Sequence, residues 1–142
     1  MSKRILVVED TEDNRQIIRD LLSSVGYELI EAADGAEGVA MAQSHHPDLI
    51  LMDIQLPQID GYEATRRIRA IPELARVPII AVTSYALSGD EAKTREAGCD
   101  GYVAKPFSPR QLLAKVREFL PDEPPPFPPP QAGEGRGGRS DG

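Results

Sequence analysis

Residues 3–18 read KRILVVEDTEDNRQII, a short apolar run followed at once by a dense group of acids. The run Ile5 to Val8 is continuously apolar rather than alternating, which favours a strand that is covered on both faces. Four acids follow it, at positions 9, 10, 12 and 13. Because like charges a few ångströms apart destabilise one another, this stretch indicates a positive partner that comes from elsewhere in the fold.

A helix is predicted directly after these acids. Its apolar residues recur at spacings of one, three and four and form one stripe: Ile17, Ile18, Leu21, Leu22 and Val25. Thr11 is the predicted N-cap, and Gly26 is the predicted stop.

The same order of strand and helix recurs five times over residues 1–120. Further strands are predicted at residues 27–32, 48–53, 77–84 and 101–105, the first of them more polar and therefore placed at a sheet edge. Further helices are predicted at about residues 36–44, 62–70, 89–97 and 109–119. Strands that alternate with helices predict an α/β fold, in which a parallel sheet carries helices on both faces.

The composition changes after Leu120. Residues 121–142 are rich in proline and then in glycine, which favours extended polyproline II structure followed by flexible coil. Such a segment cannot bury enough apolar surface to offset its ordering entropy. We therefore expect one domain over residues 1–120 and a disordered tail over residues 121–142, with a linker or tail favoured over a proline-rich ligand for a partner domain.

Charge and composition exclude several classes of protein. A net charge of −7 disfavours direct binding to nucleic acid, which needs clustered Lys and Arg. Apolar runs fall well short of the roughly 20 residues that span a bilayer, and the start MSKRILVVED is too short for a signal-peptide core. The single Cys99 fits a reducing compartment. We expect a cytoplasmic protein that binds neither nucleic acid nor a membrane.

Polar side chains of chemical use stand at the carboxyl ends of the predicted strands. They are Glu9 and Asp10 at the end of the first strand, Asp53 at the end of the third, Thr83 and Ser84 at the end of the fourth, and Lys105 at the end of the fifth. In parallel α/β sheets, ligands bind at the carboxyl ends of the strands. The sequence therefore predicts that these side chains, although tens of residues apart, gather at one edge of the sheet.

Three carboxylates at one edge point to a hard cation. Mg²⁺ takes carboxylate, water and phosphate oxygens, and it is favoured over Ca²⁺ because the sequence lacks the acidic loop typical of calcium sites. Zn²⁺ is disfavoured because no cluster of Cys or His accompanies the acids. Adjacent strand residues point to opposite faces, so Glu9 and Asp10 can reach one ion only if the strand ends there. The ion and Lys105 are the expected positive partners.

Four segments together resemble the receiver domain of two-component response regulators: VVED (7–10), DLILMDIQLPQIDGYE (48–63), IIAVTS (79–84) and YVAKPF (102–107). The resemblance covers about residues 3–120 and is greatest to standalone receivers of the cell-cycle type. It implies a flavodoxin-like, doubly wound sheet of five parallel strands in the order 2-1-3-4-5. It also implies a signalling switch that catalyses only its own phosphorylation and dephosphorylation, with no DNA-binding output.

The resemblance implies a role for each site residue. Asp53 would accept a phosphoryl group, and Mg²⁺ would be held by Glu9, Asp10, Asp53 and the backbone carbonyl of Gln55. Thr83 and Lys105 would each contact a phosphoryl oxygen.

The resemblance also implies a conformational change and two local features. Movement of Thr83 toward the phosphate would make room for Tyr102 to turn inward, a packing switch. A cis peptide bond would precede Pro106. Gln55 and Tyr85 would occupy positions that tune the lifetime of the phosphoryl group, and the bulk of Tyr85 predicts slow access of water.

The implied partners are proteins. A histidine kinase or a histidine phosphotransfer protein would supply the phosphoryl group. A downstream effector would bind the changed surface, by analogy the one formed by the fourth and fifth helices and the fifth strand.

Three other interpretations are compatible with parts of the pattern. Receivers attached to hybrid histidine kinases are also similar, so the domain could be such a module. A phosphatase of the haloacid dehalogenase type also forms an aspartyl phosphate, but it needs a second Asp where this sequence has Gln55. A flavodoxin-like cofactor binder needs a hydroxyl-rich phosphate loop after the first strand, where this sequence has the acidic EDTEDN.

Overall fold

The computed structural model describes residues 3–84 and 90–120. Three expectations fall outside this part of the chain: the role of Tyr85, the start of the fourth helix at residue 89, and the disordered tail at residues 121–142.

Strands and helices alternate along the described residues, as predicted. The strands are β1 (Arg4–Val8), β2 (Glu28–Ala32), β3 (Leu49–Asp53), β4 (Ile79–Thr83) and β5 (Gly101–Ala104). The helices are α1 (Glu12–Ser24), α2 (Gly35–His45), α3 (Gly61–Arg69), α4 (Asp90–Ala97) and α5 (Pro109–Phe119). A short 3₁₀ helix at Pro72–Leu74, which the sequence pattern did not indicate, joins α3 to β4.

The five strands form one parallel sheet in the order β2-β1-β3-β4-β5, so the predicted fold is confirmed. This order places β1 beside β3 and puts β5 at the edge, two strands away from β3. The carboxyl ends of all five strands lie along the same edge of the sheet, where the predicted site residues follow.

Both faces of the sheet are covered by helices, which explains why the strand sequences are apolar without alternation. One apolar cluster lies between the sheet and α2 and α3, and includes Leu6, Val8, Ile50, Met52, Ala64 and Ile68. The other lies between the sheet and α1 and α5, and includes Ile5, Val7, Leu49, Leu51, Ile18 and Leu112. Among the described residues, no helix combines the length and apolar character that crossing a bilayer requires.

Helix α1 begins and ends close to the predicted residues. Gly26 follows the helix with φ 99°, a left-handed conformation that glycine adopts without strain. Thr11 stands at the N-cap position, but within the described part of the chain its side chain caps no amide. Ile17, a member of the predicted apolar stripe, is 55% exposed and lines an open groove together with Phe107.

Helix α3 begins in close contact with the end of β3. The Asp60 side chain accepts a hydrogen bond from the Glu63 amide at 2.9 Å and caps the helix. A Cβ atom on Gly61 would lie 2.3 Å from the backbone oxygen of Asp53. Glycine at this position therefore lets α3 approach the strand end that carries Asp53.

Replacing Gly61 with Ala should destabilise the domain, because the added methyl group must displace backbone atoms of β3. We expect Gly61→Ala to lower the free energy of unfolding by about 1–3 kcal/mol, as measured by urea denaturation. Gly101→Ala is a matched control, because its Cβ would meet the Phe119 ring at 3.2 Å, a side chain that can shift. Equal losses for the two variants would contradict the proposed contact.

Candidate functional site

Three carboxylates meet at the carboxyl edge of the sheet. Strand β1 ends at Val8, so Glu9 and Asp10 are released from the alternation of strand side chains. Each of Glu9, Asp10 and Asp53 places a carboxylate oxygen within 4.8 Å of the others. The predicted convergence of these three residues is confirmed.

The three acids differ in their exposure to solvent. Glu9 and Asp53 are each only 2% exposed, whereas Asp10 is exposed. Two carboxylates are therefore withdrawn from water, and the third lies at the solvent side of the cluster. Buried carboxylates such as Glu9 and Asp53 need a compensating positive charge when they are ionised.

Lys105 supplies one positive charge to the buried acids. Its Nζ lies 3.3 Å from Oε1 of Glu9 and 3.2 Å from Oδ2 of Asp53. Strand β5 is not adjacent to β1 or β3, so Lys105 needs its long side chain to reach both acids. A single ammonium group can balance only one of the three carboxylates.

The pKa values of the buried groups differ in direction. Burial raises the pKa of Asp53 to about 6, and the charge of Glu9 adds to this effect, against the opposing influence of the Gln55 amide and Lys105. Burial also acts to raise the pKa of Glu9, but Lys105 and the Thr11 amide outweigh it and hold that pKa below its ordinary value.

The pKa of Lys105 is raised despite its partial burial. Burial alone acts to lower it, but the charges of Asp53 and Glu9 outweigh that effect. Lys105 is therefore charged at neutral pH, and it favours the ionised forms of both acids.

Sequence reasoning missed two residues of α1 that hold Glu9. The Asn14 side chain donates to Oε2 of Glu9 at 3.4 Å, and the Thr11 amide donates to the same oxygen at 3.2 Å. Arg15 donates from Nη1 to the backbone oxygen of Glu9 at 2.7 Å. The only signal in the sequence was their position one turn after the acids, which does not reveal such contacts.

Thr83 and Tyr102 lie on the same face of the sheet. Thr83 is the last residue of β4 and is fully buried. Ala81 pairs with Tyr102, and Thr83 pairs with Ala104, so the side chains of Thr83 and Tyr102 extend from one face. Tyr102 is partly buried and packs against the apolar cluster under α2 and α3.

Two further predicted features lie at this edge of the sheet. The peptide bond between Lys105 and Pro106 is cis, as expected. Gln55 is exposed, and its amide donates to Oδ1 of Asp53 at 3.0 Å. Its role as a metal ligand through the backbone carbonyl stays a prediction. A groove of about 580 Å³, lined in part by Ile17 and Phe107, reaches Glu9 and Lys105 from the side of α1.

The donor atoms fit a hard cation. Glu9, Asp10 and Asp53 offer carboxylate oxygens, which are the ligands that Mg²⁺ and Ca²⁺ take in proteins. A divalent ion at this position would also balance the charge that Lys105 leaves uncompensated. The cluster could therefore hold a metal ion.

The chain matches a known family of proteins over most of its length. The family model described as the response regulator receiver domain matches residues 5–117. The chain therefore belongs to the response regulator receiver domain family, whose members are signalling proteins of two-component systems.

Individual relatives agree with this assignment. The polar-differentiation response regulator DivK of Brucella ovis is 43% identical over 122 residues, which cover 86% of this chain and 99% of DivK. A solved structure of the receiver domain of sensor histidine kinase PA1611 from Pseudomonas aeruginosa PAO1 is 42% identical, with a TM-score of 0.80 over 86% of this chain and 100% of that one. That structure has a magnesium ion coordinated in its active site cleft.

A chemotaxis protein has the same fold at lower identity. CheY4 of Vibrio cholerae is 30% identical, with a TM-score of 0.81 over 84% of this chain and 100% of that one.

Replacing Asp53 with Asn should change how stability depends on pH in buffer free of divalent cations. The pKa of Asp53 is above its ordinary value of 3.8 in the folded state, so its ionisation opposes folding as the pH rises from about 4 to about 6. We expect Asp53→Asn to be more stable than the native protein above pH 6, by up to about 3 kcal/mol, and to lose this advantage near pH 4.

Urea unfolding at several pH values measures this difference. Glu63→Gln is a control for which the opposite dependence on pH is expected, because the hydrogen bond from Arg67 holds the pKa of Glu63 below its ordinary value. That substitution should lower the free energy of unfolding more at neutral than at acidic pH. If the stability advantage of Asp53→Asn did not vary with pH, the raised pKa of Asp53 in the folded protein would be contradicted.

Proposed function

We propose that this protein is a phosphorylation-dependent switch in which Asp53 accepts a phosphoryl group. Mg²⁺ would be held by Glu9, Asp10, Asp53 and the backbone carbonyl of Gln55. The observation that carries the proposal is the meeting of three carboxylates and Lys105 at one sheet edge, in a chain of the receiver family.

The transfer step uses the Asp53 carboxylate as a nucleophile. A carboxylate oxygen forms a bond to phosphorus while the bond from phosphorus to a donor imidazole nitrogen breaks, and the imidazole keeps the electron pair. Lys105 already contacts Oδ2 of Asp53 at 3.2 Å, so its ammonium is near the charge that develops on the phosphoryl oxygens. Bound Mg²⁺ would supply further positive charge to the same oxygens.

The switch proposed here consists of Thr83 and Tyr102. A phosphoryl group on Asp53 adds negative charge and acceptor oxygens beside the end of β4. The Thr83 hydroxyl would then bond to a phosphoryl oxygen. Because Thr83 and Tyr102 share a face of the sheet, movement of Thr83 would open space into which Tyr102 can turn.

The partners follow from this chemistry. A histidine kinase or a histidine phosphotransfer protein would provide the phosphohistidine. A downstream effector protein would bind the surface formed by α4, β5 and α5, where Tyr102 lies. We propose that the reaction takes place in the cytoplasm, because histidine kinases obtain their phosphoryl group from ATP, which is available there.

A receiver module derived from a hybrid histidine kinase is a second candidate. The 42% identity with the receiver domain of sensor histidine kinase PA1611 favours it. The chemistry at Asp53 is the same in both cases. A phosphatase of the haloacid dehalogenase type is disfavoured by the family match and by Gln55, which stands where that class needs a second Asp.

Acetyl phosphate with Mg²⁺ should add one phosphoryl group to the native protein, with loss of acetate. Intact-mass spectrometry measures the modification, and it should be absent in Asp53→Asn and in native protein treated with a chelator. Lys105→Met should be labelled more slowly, by roughly 100-fold, because the phosphoryl oxygens lose a positive donor. Labelling of Asp53→Asn at the native rate would refute the assignment of the phosphoacceptor.

Thr83→Ala should separate phosphorylation from its output. We expect this variant to be labelled on Asp53 but to fail to change its binding to partner proteins, which a pull-down with beryllofluoride-loaded and untreated protein measures. Ser84→Ala is a matched control, because Ser84 is the exposed neighbour of buried Thr83. Equal capture of partners by loaded and untreated native protein would contradict the switch.

A further inference from the structure

We propose that Arg15 is a positioning residue for the cation site, because it fixes the peptide that joins Glu9 to Asp10. This inference rests on the proposed function, in which those two acids hold Mg²⁺. Arg15 would act on the ion through the backbone and would not bind it.

The contact is made with the backbone of Glu9, the first of the two acids that follow β1. Nη1 of Arg15 donates to the backbone oxygen of Glu9 at 2.7 Å, a short hydrogen bond from a charged group. That oxygen belongs to the peptide between Glu9 and Asp10, directly after the end of β1. A bond at this position limits rotation of the peptide and so fixes the direction in which both carboxylates leave the chain.

Arg15 is itself held by neighbouring acids. Its side chain is 14% exposed. Nη2 pairs with Glu12 one turn earlier in α1, and Nε lies 3.4 Å from Oε1 of Glu31. Glu31 also pairs with Arg19, at 2.7 Å. The guanidinium is therefore anchored between α1 and β2 while it holds the end of β1.

The charged side chains around Arg15 balance one another. Arg15 and Arg19 pair with Glu12 and Glu31, two cations with two anions. Lys105 differs, because it contacts the carboxylates of Glu9 and Asp53 directly. Arg15 contacts a carbonyl oxygen, so it can orient the acids without replacing the cation as their counter-charge.

A positioning role and a purely electrostatic role predict opposite effects. If Arg15 acted only as a nearby positive charge, its removal would reduce repulsion of the cation and tighten binding. If it positions Glu9 and Asp10, its removal should weaken binding. Residues that orient metal ligands typically change metal affinity by about 10- to 100-fold when they are replaced.

The test is a calorimetric titration of MgCl₂ into the full chain. We expect Arg15→Gln to bind Mg²⁺ about 10-fold more weakly than the native protein. Arg15→Lys should lose less affinity, because a lysine can still donate to the Glu9 carbonyl. Arg19→Gln is the matched control. It removes the same charge from the neighbourhood of Arg15, but among the described residues Arg19 bonds to Glu31 and not to Glu9, so the affinity for Mg²⁺ should be native or slightly tighter.

A second measurement separates positioning from a general loss of structure. In labelling by acetyl phosphate, Arg15→Gln should need about 10-fold more Mg²⁺ for half-maximal rate, while its rate at saturating Mg²⁺ stays within about 2-fold of native. Urea unfolding of each variant establishes that it is folded, and Arg15→Lys provides the comparison if Arg15→Gln is not.

The possible failures are distinguishable. Native affinity or tighter binding in Arg15→Gln would overturn the positioning role alone, as would an equal loss of affinity in Arg19→Gln. A native protein that binds no Mg²⁺ would overturn the proposed function as well.

Discussion

The contact of the Lys105 ammonium with Glu9 and Asp53 is the interaction on which the site depends. It joins the ends of three strands that are distant in sequence. The parallel order β2-β1-β3-β4-β5 makes it possible, because β1 and β3 are neighbours and their acids lie side by side. One lysine cannot balance three carboxylates, and this deficit of positive charge is the physical basis of the divalent cation proposed for this edge.

The two buried acids at this contact differ in pKa although Lys105 touches both. Lys105 and the Thr11 amide favour ionised Glu9, whereas burial and the charge of Glu9 raise the pKa of Asp53 to about 6. A cation close to Asp53 would favour its ionised form, which is the form that can attack phosphorus. Binding of the ion and readiness for phosphorylation are in this way two consequences of one electrostatic arrangement. Gly61 lets α3 approach the end of β3, and Asn14 and Arg15 of α1 bond to Glu9.

Much of the fold could be predicted from the sequence, because continuous apolar runs and helical periodicity are local signals. The strand ends then located Glu9, Asp10, Asp53 and Lys105, since all parallel strands finish at one edge. The strand order itself came from the resemblance to receiver domains. The exposure of Ile17 could not be predicted from periodicity, because spacing along a helix does not show which apolar residues the neighbouring elements cover.

The contacts of Asn14 and Arg15 with Glu9 could not be predicted. They depend on the angle at which α1 leaves β1 and on side-chain conformation, neither of which residue spacing reports. The roles of Thr83, Tyr102 and the Gln55 carbonyl are predictions about a phosphorylated state. The shared sheet face of Thr83 and Tyr102 supports the coupling proposed between them.

The most direct test of the shared cation site is a Mg²⁺ titration followed by the carboxyl ¹³C resonances of the protein. If one ion is shared, the resonances of Glu9, Asp10 and Asp53 should shift together with a single affinity. Movement of exposed Asp10 alone, or of none of the three in folded protein, would contradict the account.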